Sequence, residues 1–366
     1  MTVTKKQKFR KSNKLTPIIE QPNPELDSRE KLAQIKKVER KNMILVFSIM
    51  ITLMGLGIFL YIMSRTYIKA WRLGVPMTTS AFESILGRSI PAIVGMIGAA
   101  SLIALVSLCF QTITESKILT PSMIGFDAIF MGTQTLIVFI FGTTTDLFTN
   151  PFINYLISSG AMIVISFLMY KSVLRRSKNN TVFLLMFGLV LSGLISNGAR
   201  YLQTIMTVYE FNHVQAAINV TVNNMNTSII YMVIPLTIIL SVVILSKHRV
   251  YNVMTLGAKQ ARGLGVDYER ELHFNLILIA IGMSLATALI GSLTFLGLLA
   301  VNFSRMILKT HRHLPLFLAS GLAASLALVL GQTAVELLEG AIPVTVIINL
   351  VGCSYIFYYI IKDNKI

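Results

Sequence analysis

The sequence predicts an all-α polytopic membrane protein with about ten transmembrane helices. Three observations carry this. Of the 366 residues, 54% are hydrophobic and only 13% charged, with a mean hydropathy of +0.70; a soluble domain carries about 25% charged residues. Apolar runs long enough to cross the ~30 Å hydrocarbon core recur along the chain. These runs are continuous rather than alternating, which excludes a barrel.

Taken in order, residues 1–42 form a basic cytosolic tail holding 12 of the 32 Lys and Arg. The tail is too long and too polar for the n-region of a signal peptide, so the first apolar run reads as a retained span. Within it, residues 28–41 suit a short helix on the membrane surface with Ser28 as N-cap. A polybasic tail can fix topology or bind anionic lipid. A transmembrane domain follows over 43–362, and 363–366 is a cytosolic C-terminus. The spans fall near 43–63, 89–110, 122–142, 152–171, 181–202, 228–246, 272–292, 294–308, 315–335 and 341–361. The eighth is short for a full crossing, and Gly291-Ser292 can supply a tight bend before it. The stretch 203–227 is too polar to span and too apolar for a free loop, so it suits a short outer helix.

Charge counting sets the orientation. With both termini inside, 27 of the 32 Lys and Arg fall on the cytosolic side. The net charge of +16 therefore reads as membrane orientation, with no nucleic acid as partner. Arg65, Lys69, Arg72 and Arg88 break the pattern by lying in the first outer connection. Either the strong tail overrides them, or they form an exposed basic patch that docks an acidic partner.

The largest hydrophilic interruption is 247–273, KHRVYNVMTLGAKQARGLGVDYERELH. A bundle that presents one structured basic segment to the cytosol has a place to receive work from a partner. No catalytic constellation is visible, and no G-x-x-x-x-G-K-[ST] phosphate loop, so no cofactor is expected on this chain. His311 and His313 are two apart but lack nearby Cys or carboxylate partners for a metal. Cys109 and Cys353 sit in apolar runs and read as small buried hydrophobes. Polar residues within spans, chiefly Gln111, Asn197, Asn302 and Arg305, either bond across helices or line a watered path. The small-residue stretches 95–101, 188–193 and 319–325 permit close helix approach.

Four stretches, in order, resemble the FecCD family, the permeases of ABC importers for iron-siderophore complexes, which are related to the cobalamin permease. They are GRSIPAIVGMIGAASLIALVSLCFQTITESKILTPSMIGFDAIF (87–130), LGAKQARGLGV (256–266), GSLTFLGLLAVNFSR (291–305) and IPVTVIINLVGCSYIFYYI (342–360). The wording of the first is most similar to the catecholate-siderophore branch. Ser292, Val301-Asn302 and Ser116–Leu119 depart from the family pattern, leaving Gly291, Phe295, Gly297 and Arg305 as shared positions. The resemblance implies a type II importer fold in the bacterial cytoplasmic membrane. It also implies cytosolic ATPase subunits, a second permease (same or paralogous) and an extracytoplasmic siderophore-binding protein. The coupling segment, about 252–266, would be two short helices that turn at Gly257, Gly263 and Gly265, with Lys259 and Arg262 contacting the ATPase. Arg65, Lys69 and Arg72 would pair with the binding protein. Two other classes fit the composition: an ion-gradient-driven secondary transporter, for which Asp127 and Arg200 are the deepest charges, and a membrane scaffold or sensor using the tail as output.

Overall fold

A computed structural model describes residues 28–73, 79–176, 181–219, 227–338 and 342–363. The chain divides into two units, 1–48 and 49–366. In the first, the described residues are helical and belong to α1 (Ser28–Leu73). The short surface helix expected over 28–41 is instead the first part of α1, because no Pro or Gly interrupts the ladder before Gly55. The basic cluster from Lys5 to Lys14 lies outside the described residues.

The second unit contains α2 (Thr79–Ile113), a 3-10 turn (Pro121–Ile124), α3 (Phe126–Phe141), α4 (Asp146–Thr149) and α5 (Pro151–Arg176). It continues through α6 (Thr181–Ile205), α7 (Val208–Ile218), α8 (Thr227–Ser246), α9 (His248–Met254) and α10 (Ala258–Gly263). The last four are α11 (Tyr268–Ile290), α12 (Leu296–Leu308), α13 (His313–Leu337) and α14 (Val344–Asp363). Among the described residues, seven helices are long and apolar enough to cross a membrane. Three shorter apolar helices, Phe126–Phe141, Leu296–Leu308 and Val344–Tyr355, bring the apolar helices to the ten places expected.

α2 is the hub. Of its most apolar stretch, 78% is buried, against 22% for α6. It packs on α8, α11, α12 and α13. Small residues make this possible. A Cβ on Gly98 would meet Ile234 Cδ1 at 2.8 Å, and one on Gly282 would meet Val106 Cγ1 at 2.7 Å. Ser101 and Ser325 share a hydroxyl hydrogen bond of 2.9 Å, which joins the first and third small-residue stretches across α2 and α13. The middle stretch receives the 3-10 turn, where a Cβ on Gly188 would fall 2.4 Å from Ile124 Cγ2 and 3.0 Å from its carbonyl oxygen. Removing side chains lets backbones approach, and packing is what holds helices together in lipid.

α12 has 13 residues, about 20 Å at 1.5 Å each, so it cannot cross the core alone. Gly291 ends α11 at φ +81°, which supplies the expected bend. The non-helical stretch 291–295 meets the α2–α3 connection, 114–125, which holds the 3-10 turn. Thr294 Oγ1 donates to Asp127 Oδ2 at 2.5 Å, Thr120 Oγ1 donates to the Thr294 carbonyl at 3.5 Å, and Asn302 Nδ2 donates to the Lys117 carbonyl at 3.0 Å. Irregular backbone inside a membrane protein persists where protein supplies its hydrogen bonds.

The end of the bundle opposite α9 carries α4 and α7, whose rings Phe148 and His213 meet edge-on at 6.2 Å. α7 is the short helix expected within 203–227. Thr207 starts it with a capping box: its hydroxyl accepts from the Glu210 N–H while Glu210 accepts from the Thr207 N–H. Those bonds hold the Glu210 carboxyl below the usual carboxylate range. Gln203 ties α7 to α3, donating to Thr135 Oγ1 at 2.8 Å and accepting from Gln215 at 3.4 Å.

Candidate functional site: the two-helix hydrophilic segment

After Ser246 the chain makes two short helices, α9 and α10, and then α11. Gly257, at φ +89°, turns the chain between α9 and α10. Gly265, at φ +86°, turns it out of α10. L side chains avoid that region, so glycine is required at both. Gly263 differs from the expectation. It closes α10 without a positive φ, and a Cβ there would meet nothing within 4 Å. The left-handed step falls two residues later, so the turn does not depend on Gly263.

Two acids at the start of α11, Glu269 and Glu271, pair with basic side chains of this segment. Lys247 Nζ sits 2.7 and 2.9 Å from the Glu271 oxygens and 3.8 Å from the centre of the Phe274 ring. Arg262 Nη2 donates to Glu269 Oε1 at 3.0 Å, with both side chains more than half exposed. The exposed pair contributes little stability and leaves Arg262 accessible. Lys259 is exposed on α10. Asp267 caps α11 by accepting from the Arg270 N–H at 3.2 Å.

The other face of α9 is locked into the bundle. Tyr251 and Met254 are fully buried. Tyr251 donates to Asn275 of α11 and lies 5.8 Å from the His313 ring in a stacked pair. Burial pushes its phenol well above the usual value. Asn252 Oδ1 accepts from the His313 N–H at 2.8 Å and contacts His313 Nδ1 at 2.9 Å. His313 Nε2 contacts Thr112 Oγ1 of α2 at 2.9 Å. Since Asn252 Oδ1 is an acceptor, His313 Nδ1 carries a proton. One buried histidine thus joins α9, α13 and the hub helix. Sequence reading set His313 aside as a poor metal ligand and did not find Asn252, Tyr251 or Thr112. A usable signal was present: an ionisable residue buried at the start of an apolar run calls for a partner.

The remaining expected positions separate. Asn302 is buried, and its amide donates to the Lys117 carbonyl at 3.0 Å. Gln111 is 2% exposed, and Arg305 is half-buried three residues after Asn302 on the same side of α12; both line a cleft beside Thr255. Asn197 is exposed on α6, as is Arg200. Arg65 is a correction to the expected docking patch. It is 3% exposed, because helix periodicity sets it one turn after the fully buried Tyr61, whose phenol oxygen accepts from Arg65 Nη1 at 3.0 Å. The side chains of Lys69 and Arg72 lie outside the described residues.

Known proteins are similar to this chain over most of its length. The petrobactin import system permease protein YclO of Bacillus subtilis is 35% identical over 285 residues, 78% of this chain and 90% of that protein. The petrobactin import system permease protein FatC of Bacillus anthracis is 32% identical, covering 74% of this chain and 75% of its own. A solved chain described as a metal-chelate type ABC transporter, in an inward-facing conformation, superposes with a TM-score of 0.71 at 21% identity. It covers 86% of this chain and 99% of that chain, and it supports the fold. The FecCD transport family matches residues 44–362. With that match, and with relatives above 30% identity over most of its length, this chain belongs to the FecCD transport family as a membrane permease of an ABC importer.

Proposed function

We propose that this permease carries an iron-siderophore complex into the cytoplasm across the bacterial cytoplasmic membrane, using work from ATP hydrolysis on separate ATPase subunits. The observation that carries the reading is the two-helix segment 248–263, exposed on one side and tied by His313 to two spans on the other. ATPase closure would push on α10 through Lys259 and Arg262. α9 would pass the displacement to α2 and α13. Siderophore permeases among the relatives support the cargo, since the two named above import petrobactin. A second permease, same or paralogous, completes the pore. Asn197 and Arg200 on the exposed face of α6 support this, because hydrocarbon penalises uncovered polar groups. An extracytoplasmic siderophore-binding protein loads the pore from the far side. Arg65 is excluded from that contact by burial, which leaves Lys69 and Arg72 for it.

The decisive experiment is reconstitution with the ATPase and binding protein in vesicles, followed by uptake of labelled ferric siderophore. Uptake should require ATP and the binding protein. Uphill movement by this chain alone on an ion gradient would overturn the reading and favour a secondary transporter.

The two glycine classes give a sharper test of the lever. Gly257→Val forces a β-branched residue to φ +89°, a strain of about 1–2 kcal/mol, on the element that must meet the ATPase. Uptake should fall while ATP hydrolysis persists. Gly263→Ala should leave uptake at the wild-type level, because the site is helical and open. Equal damage from both would show that the turn geometry is not what transmits force.

A further inference from the structure

Between the α2–α3 connection, the α12–α13 connection and the end of α9 lies a cleft of about 480 Å³. Its walls carry Lys117, Arg305 and Lys309 against one carboxylate, Glu115. Gln111 also lines it; that side chain is 2% exposed, and neither its amide nitrogen nor its oxygen has a hydrogen-bond partner. A buried amide with both ends idle is uncommon, because desolvated polar groups are normally satisfied. Two of these walls are unusual in their backbone. Glu115 (φ +52°) and Lys309 (φ +47°) are the two non-glycine residues with positive φ among the described residues, and both face this cleft. Such conformations gather at ligand clamps.

We propose that the cleft is a binding site for a phosphate-bearing anion. Cationic side chains, an amide N–H and the Thr310 hydroxyl, which lines the same cleft, are donors that phosphate oxygens take. The volume admits a phosphate with an attached small group. Because Thr112, Thr255 and His313 also line the cleft, a bound anion touches α2, the foot of α9 and the start of α13 together. It would brace the joint through which α9 is held. The proposal does not rest on the importer reading, since binding is measured without transport.

Phosphate could come from solution or from a lipid headgroup, and two arms separate them. In one, the full chain, delipidated in a phosphate-free maltoside detergent, is titrated with inorganic phosphate and followed by calorimetry. In the other, the same protein is titrated with phosphatidylglycerol and retained lipid is read by native mass spectrometry. Saturable binding is expected in one arm, and which arm names the source. Lys117→Gln and Lys309→Gln, both at exposed positions, should each weaken it about tenfold, the loss of one charge-assisted contact. Gln111→Leu should do the same; if that variant fails to fold, the two lysine variants still decide. No saturable binding in either arm, or equal binding by wild type and variants, overturns the site.

Discussion

Gly297→Ala should leave little folded protein in the membrane. The added methyl carbon would stand 2.0 Å from Ser107 Oγ, 2.8 Å from Ser107 Cβ and 3.3 Å from Ile103 Cγ2. Gly297 is buried at the start of α12, and Ser107 is buried on the hub helix. Rotating the serine hydroxyl relieves the first contact but not the second, so α2 and α12 must separate. Overpacking of this kind costs about 1–3 kcal/mol, occasionally more, and here it falls on two helices that also meet α13. Monodisperse yield on size-exclusion chromatography measures the effect. Gly193→Ala and Gly198→Ala on α6, where a Cβ meets nothing within 4 Å, are controls that should express normally. Ser107→Gly in the Gly297→Ala background removes the colliding Cβ and should restore part of the yield. A well-folded Gly297→Ala single variant would refute this account of the α2–α12 contact.

The second large effect is expected at Asn252. Its Oδ1 receives the His313 backbone N–H and faces the ring nitrogen. Asn252→Ala strips both of their acceptor in a buried place, at a cost of about 1–3 kcal/mol. The bundle keeps its helix contacts, while α9 loses its hydrogen bonds to His313. ATP hydrolysis by the reconstituted complex should continue. Substrate imported per ATP should drop by about 5–150-fold, the span of a coupling energy of that size. Asn252→Asp keeps an acceptor in the same place and should recover most of the ratio. If Asn252→Ala imported normally per ATP, the link through His313 would have no part in transmission.

Much of this architecture was legible in the chain. Among the described residues, seven of the apolar stretches are helices long enough to cross a membrane and three are shorter apolar helices, because length and continuity of apolar residues are local properties. The short helix before Thr227 was legible from a polarity between that of a span and that of a free loop, whereas the paired short helices after Ser246 were implied by the family resemblance. What escaped was long-range or conformational. Thr112 and His313 lie 201 residues apart, and Asn252 and His313 lie 61 apart; no periodicity connects them. A glycine's φ is not written in its neighbours, so Gly263 looked equivalent to Gly265 until their backbones were seen. Charge counting treats an arginine at a span end as solvated. Arg65 is buried because the helix turns it beside Tyr61, and counting has no rotational term. Asn302 was ambiguous between path and packing because its partner is a main-chain carbonyl 185 residues away, which leaves no side-chain signature.

The pairing of 114–125 with 291–295 has a consequence for biogenesis. The ribosome delivers the earlier stretch long before its partner exists. Until α12 emerges, the Lys117 carbonyl has no Asn302 to receive from and Asp127 has no Thr294. That half-built intermediate must shelter bare main-chain groups in water or inside the insertion machinery. α12, too brief to partition by itself, enters by zipping onto a template laid down earlier. Truncations that stop before residue 291 should therefore be handled by quality-control proteases as unfinished, even though most of their spans are already in place.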